Sequence, residues 1–259
     1  MASRQAPRLA LTDEDLVALL GLIRQADSVE LKLTVPETEH RPVVSTLGMD
    51  PLDAEIRQVF FFDTPELTLY EHGVVTRARR VQGKGDDSTV KLRPVDPTAL
   101  PGEVRRAKSF GVEVDAMPGA YICSGSMKNK LGSDSVRDAV EGKQPLRKLF
   151  SKEQRALFAE HTPDGIGLDD LAVLGPLFVL KLKLSPQGYE RKLVAEMWLY
   201  PDYSAVLELS TKCPPGEAFQ VAAETRAFLA ERGVSLAGDQ QTKTRKALEF
   251  FSERRASGE

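Results

Sequence analysis

Histidine and cysteine are scarce in this chain of 259 residues, and the scarcity narrows its chemistry. Cys123 and Cys213 stand far apart without CxxC spacing, which argues against a disulfide framework and a cysteine-built zinc site. His40, His72 and His161 are scattered, so no histidine base or ligand cluster is expected. Basic residues are not in excess either: a net charge of -3 is at odds with a surface that coats nucleic acid. Long apolar runs are missing. The start MASRQAPRLALTDEDL has none, and VLGPLFVLKLKL is cut by Pro176 and Lys181, so neither a secretory signal nor a membrane span is expected and a cytoplasmic location is. Gly83-Lys84-Gly85-Asp86 lacks the G-x-x-x-x-G-K-[ST] pattern of a phosphate-binding loop and joins two strands instead of opening a helix. No repeat of solenoid length and no linker between two cores is found.

What the chain does have is alternation. With 41% hydrophobic and 28% charged residues it suits one large domain or two small ones. Thr12, followed by acidic residues and by Leu16, Leu19, Leu20 and Ile23 at helical spacing, predicts a capped amphipathic helix packed on the outside of the strands. From Ser28 the period changes to two: Ser28, Glu30, Lys32 and Thr34 share one face, Val29, Leu31, Leu33 and Val35 the other. The design returns with Glu113 and Asp115 against Val112 and Val114, and with Lys181 and Lys183 against Leu180 and Leu182. It returns again over Glu190 to Leu199, where Glu190, Lys192, Glu196 and Trp198 share a face, and with Glu208 and Ser210 against Leu207 and Leu209. Roughly eight strands thus carry a charged face and an apolar reverse. Ser151 caps KEQRALFAE with a Glu near the capping-box position, and Glu217 to Glu231 and Thr242 to Arg255 read as further amphipathic helices. Met117 to Pro145, rich in Gly, Ser and Lys and without a period, reads as loops.

The densest charge lies between Val59 and Pro94. Thr64 with Pro65 behind it reads as the cap and first turn of a short helix that Gly73 ends. Val75, Arg77, Arg79 and Val81 then share a strand face, and after a polar loop Thr89, Lys91 and Arg93 answer it across a hairpin. Neighbouring strands lie about 4.8 Å apart, so these cations repel unless an anion sits among them. Lys128 and Lys130, like Arg105 and Arg106, read as solvated basic loops. Asp63 and Thr64 read as caps, and Trp198 as a plug or a surface on which a base could stack.

Two architectures fit the stripes: an open antiparallel sheet with its charged face in water, or a closed barrel with its charges inside. Buried charges without partners cost several kcal/mol each, so a closed lumen would have to be wet and built for an ionic ligand. Carboxylates suit a hard divalent cation, and Lys and Arg suit phosphate oxygens.

The ordered set of motifs carries a resemblance. SVELKL resembles a degraded E-x-E-x-K signature of the CYTH superfamily, the triphosphate tunnel metalloenzymes, and FFDTPELTLYEHGVVTRARR is similar to its Y-F-D-T and R-x-R block. TVKLR, VEVD, LKLK and VLELS follow in the family's strand order, and QTKTRKAL resembles its C-terminal lysine motif. The resemblance implies an α+β fold: a closed eight-stranded antiparallel barrel over residues 28–259, with an N-terminal helix in 1–27 packed on it, an insertion of loops and helices at about 117–175, and helices outside. It implies that Lys32, Arg77, Arg79, Lys91, Arg93, Lys181, Lys183 and Lys243 hold a triphosphate, that Glu30, Glu196 and Glu208 hold Mg2+ or Mn2+, and that Lys91, Arg79 and Glu113 serve the reaction. The expected partner is tripolyphosphate, a nucleoside triphosphate or thiamine triphosphate, with no nucleic acid and no membrane; pairing into a homodimer stays open. The reaction implied is hydrolysis of the triphosphate, with cyclisation of ATP, as in class IV adenylyl cyclases, and non-catalytic sensing as alternatives. Ser28 and Ser210 stand where the family carries glutamates, so the chain departs in its carboxylates and not in its cations.

Overall fold

The computed structural model describes residues 12–234 and 243–257. Its centre is a closed barrel of nine strands: β1 (Ser28–Val35), β2 (Glu55–Asp63), β3 (Val74–Val81), β4 (Asp87–Leu92), β5 (Phe110–Met117), β6 (Ala120–Lys130), β7 (Ala172–Leu184), β8 (Leu193–Leu199) and β9 (Ala205–Cys213). They run around the ring in the order β1-β5-β6-β4-β3-β2-β7-β8-β9, and β9 pairs back onto β1. The expected count of eight is therefore corrected to nine. A closed ring of nine cannot alternate direction throughout, and the pair that breaks the alternation is β1 with β5, which run parallel with Glu30 beside Asp115.

The two strands that the alternation hides are β2 and β6. In β2 the run Val59, Phe60, Phe61, Phe62 is buried on both faces, so no period of two can show. In β6, which reads as loop in the sequence, the lumen side is made of Ser124, Ser126 and Lys128 and the outer side includes Gly125, so the contrast between faces is faint. Strand β7 runs through Pro176 because a β-bulge between Val59 and Phe61 on β2 faces the Gly175–Pro176 stretch, where a missing backbone N–H costs no ladder bond. Glu190 and Lys192 lie before β8 and not on it.

The helices are α1 (Asp13–Gln25), α2 (His40–Thr46), α3 (Thr68–Glu71), α4 (Gly102–Arg106), α5 (Ser135–Val140), α6 (Lys152–His161), α7 (Ala218–Glu231) and α8 (Lys243–Ala256). Thr12 caps α1 and exchanges hydrogen bonds with Asp15, while Leu19 and Ile23 bury against the outer faces of β1 and β5. Thr242, expected to begin the last helix, lies outside the described residues. Gln154, not a glutamate, closes the capping box with Ser151, and its amide also donates to the carbonyls of Ser88 and Met127, which pins α6 to β4 and β6. Thr64 and Pro65 do not begin α3. Leu67 takes a left-handed conformation first, and the buried Asp63 carboxylate accepts from the backbone N–H groups of Thr64, Leu69 and Tyr70. Arg105, expected to be solvated, pairs with Asp27 at 2.8 Å and ties α4 to the end of α1.

Two apolar layers lie outside the ring. One packs α1, α5 and α6 on the backs of β1 and β3 to β6, the other packs α2 and α7 on the backs of β7 to β9. A third cluster is inside: Val59, Phe61, Val75, Val179 and Trp198 share the lumen face and pack under Ala247, Leu248 and Phe251 of α8. Trp198 is 2% exposed and 6.4 Å from the Phe61 ring, so it is a plug.

Gly125 marks where an outer helix-facing side chain presses on the ring. A Cβ there would lie 2.5 Å from Cζ of the buried Phe110 ring. Gly125→Ala is expected to cost about 1–3 kcal/mol by overpacking, and adding Phe110→Leu to recover part of it; thermal melts of the three proteins check this.

Candidate functional site

The lumen of the barrel is a cavity of about 310 Å³. Its walls come from every strand because the charged stripes all point inward: Arg77 pairs across with Thr89, Val75 with Lys91, Thr89 with Lys128, and Lys181 with Glu196. Ten Lys and Arg side chains line it against four glutamates, an excess of six positive charges. Such an excess in a confined space demands further counterions: Asp115 and Asp87, behind the lining, take up part of it, and the carboxylates gather in two groups.

The first is built on Asp115, whose side chain is wholly buried. Lys32 Nζ lies 2.8 Å from its Oδ1, and Arg93 Nη1 at 3.1 Å and Lys91 Nζ at 3.6 Å share Oδ2. Burial pushes this carboxyl up, but the three cations outweigh it and hold it at about 2. Burial also acts on Lys91, and together with Lys32 and Arg93 it overcomes the pull of Asp115 and lowers the amine to about 8. Lys32 reaches Glu30 as well, at 3.1 Å, and is held well above its ordinary range despite burial by Asp115 and Glu30. Glu113 pairs with Lys212 and accepts from the Ser28 hydroxyl at 3.3 Å. Ser28 thus stands beside a carboxylate that the neighbouring strand provides. One oxygen each of Glu30, Glu113 and Asp115 lie within 4.8 Å of one another.

The second group is Glu196 with Glu208, side by side on β8 and β9. Lys243 of α8 reaches between them, in contact with Glu196 and 2.7 Å from Glu208. Glu196 also takes Lys181 at 3.0 Å and the Trp198 indole N–H at 3.3 Å. Burial opposes its charge, yet Lys243 and Lys181 hold it well below the usual carboxylate range.

Between these groups lies a wall that is only partly neutralised. Arg79 is forked onto Asp87 by two hydrogen bonds of 2.9 Å. Arg77, next on the same face, has no carboxylate of a described residue within ion-pair distance; burial first and then Arg79 lower it to about 10. Opposite it, the buried Thr89 hydroxyl has no partner.

No family model and no curated protein matches the sequence. Solved structures do match in shape. A putative adenylate cyclase from Bacillus halodurans superposes with a TM-score of 0.58 at 14% identity, over 85% of this chain and 97% of that one. A putative adenylyl cyclase from Hippeastrum, described as having a dominant triphosphatase activity, superposes with a TM-score of 0.59 at 15% identity, over 89% and 95%. The chain shares the fold of these proteins. What these structures show is the fold alone: the closed barrel with helices outside that the motifs lead one to expect.

Within this tunnel the structure brings together Glu30, Lys32, Arg77, Arg79, Lys91, Arg93, Glu113, Lys181, Glu196, Glu208 and Lys243 around one cavity. Lys183 is separate: it is exposed and lines a shallower hollow with Asp50, Asp53 and Lys84. Sequence reasoning misses Asp115 as the hub, although the alternation puts it on the same face as Glu113. It misses Arg57, which lines the lumen from β2, where the apolar run hides the period, and Lys212, one pleat beyond Ser210. Lys128, expected in a solvated loop, reaches the lumen from β6, and burial lowers its amine.

Asp115→Asn removes the hub with little change of shape. Because the folded carboxyl lies at about 2 and the ordinary value is 3.8, its stabilisation is complete above the ordinary value and is lost as pH falls toward 2. The variant should be less stable at pH 7 by about 2–3 kcal/mol, and the gap from wild type should close as pH is lowered from about 4 toward 2; urea unfolding across that range measures it.

Proposed function

We propose that this protein binds a small triphosphate in its lumen as a complex with a divalent cation and hydrolyses it. The observation that carries this reading is Arg77: a guanidinium on the lumen wall, its charge opposed by burial and by Arg79, without an ion pair to a described residue and facing the unpartnered Thr89 hydroxyl. A cation keeps so costly a place where an anion comes to it, and a polyphosphate brings several negative charges to the positive excess that Asp115 and Asp87 leave. Arginine meets phosphate oxygens with two parallel hydrogen bonds, and lysine as a point charge. Arg77 and Lys91 face the ligand most directly; Lys32, Arg79, Arg93, Lys181 and Lys243 share their charge with carboxylates of the protein and complete the field around it.

Three carboxylates with oxygens within 4.8 Å suit Mg2+ or Mn2+, which favour hard oxygen donors. Glu30, Glu113 and Asp115 would hold the cation, which when bound would neutralise phosphate charge. Asp115 already answers Lys32, Lys91 and Arg93, so the free tunnel offers a metal little spare negative charge, and the ligand's own oxygens would complete the shell. Lys91, Arg79 and Glu113 would serve the reaction itself: the two cations by stabilising charge that develops on the transferred phosphoryl group, Glu113 by taking the proton of an attacking water.

Incubation of the purified protein with tripolyphosphate or ATP and Mg2+ or Mn2+, with ion-exchange analysis of the products, decides the outcome. Orthophosphate is expected; pyrophosphate with cyclic AMP would make the protein a cyclase, and intact bound ligand a sensor. Arg77→Ala is expected to weaken tripolyphosphate binding by about 1.5–3 kcal/mol, the range for a hydrogen bond to a charged group, and to leave fold stability equal or higher, since a buried like charge is removed. Unchanged affinity by calorimetry would sink the assignment of Arg77. The pH dependence has a definite sign. Lys91 is charged at pH 7 and loses its proton from about pH 8, so affinity should fall between pH 7 and 9, by at most about tenfold per pH unit, with proton uptake on binding at the upper end. Lys91→Arg should flatten that slope.

A further inference from the structure

Glu196 and Glu208 form a carboxylate pair that could hold a cation, and the chain has put one of its own there. The Lys243 ammonium contacts Glu196 and lies 2.7 Å from Glu208, and all three side chains are at most 15% exposed. Lys181 takes the other oxygen of Glu196 at 3.0 Å, and the Trp198 indole donates to the oxygen that faces Lys243. Lone pairs that a metal would need are thus spent on nitrogen donors. The strand adds no third carboxylate: Ser210, two residues beyond Glu208 on the same face, brings a hydroxyl. The ammonium is also held from behind, since Ala247, Leu248 and Phe251 seat α8 in the inner apolar cluster and Lys243 stands over the Trp198 ring, 5.0 Å from its centre.

We propose that Lys243 is the resident cation of the Glu196–Glu208 pair and keeps divalent metal off it. If the tunnel takes a metal–triphosphate complex, a consequence that rests on the proposed function, the exchangeable metal then has one place in it, beside Glu30, Glu113 and Asp115. A fixed charge differs from a metal in what it can do: it cannot leave with the ligand, and its strength does not vary with the metal concentration. One of the two carboxylate groups of the tunnel thus has its cation built into α8, on the side where the apolar plug lies.

The test is a count of bound Mn2+ by electron paramagnetic resonance, in the full-length protein without any phosphate ligand. Lys243→Met keeps the length of the side chain and removes the charge; it is expected to bind one more Mn2+ per chain than wild type, and Glu208→Gln in the same chain to abolish that gain. Glu208→Gln alone, with Lys243 in place, should leave the wild-type count unchanged. No gain in Lys243→Met, with an unchanged circular dichroism melt, overturns the proposal, and so does a fall in the count on Glu208→Gln alone. That second arm decides even if Lys243→Met does not fold. A wild-type count of zero without phosphate agrees with the little spare negative charge beside Asp115, and the gain in Lys243→Met then still supports the role of Lys243.

Discussion

The structure depends on one electrostatic constraint: charges turned into the lumen of a closed barrel must be balanced there. Water around an open sheet would screen them at little cost, but a ring of strands about 4.8 Å apart puts them within a few ångströms of one another in a poorly screened space. Asp115 carries the largest part of the balance, because Lys32, Lys91 and Arg93 all converge on a carboxylate with no exposed surface. Where balance is complete, as around Asp115, Glu196 and Asp87, the walls are locked. Around Arg77 it is incomplete, and there the wall keeps an unanswered charge among the described residues.

The apolar half of the design serves this polar half. Helices on the backs of the strands hold the ring closed, and the inner patch of Val59, Phe61, Val75, Val179 and Trp198 fills the lumen where α8 sits. By filling that side it confines the cavity to the charged region and gives α8 the seat from which Lys243 enters.

Much of this is legible in the sequence, and what is not has physical reasons. Strict alternation in β1 or β5 can be read directly, because one face meets the outer core and the other meets charge. β2 cannot be read so, since Phe61 faces the inner plug while Phe60 and Phe62 face the outer core, and the contrast that makes a period vanishes. β6 escapes for the opposite reason: small residues are needed on both sides, Gly125 under Phe110 and Ser124 and Ser126 in a crowded lumen. The inward stripe predicts which residues surround one cavity, but not how they pair. That Asp115 rather than Glu113 gathers three cations, and that Lys243 settles between Glu196 and Glu208, depends on strand tilt and on the seat of a helix far away in the chain.

The parallel seam between β1 and β5 bears on how the molecule comes into being. A hairpin can zip from its turn, but this seam joins Ser28 to Glu113 and Leu31 to Ala116 across a long intervening chain, a contact of high sequence separation that is slow to form. Closing it brings Glu30 beside Asp115 and completes the cradle around Lys32 in the same event. The β1–β5 seam thus joins the ring and the ionic centre in one contact, and without it the strands enclose no lumen.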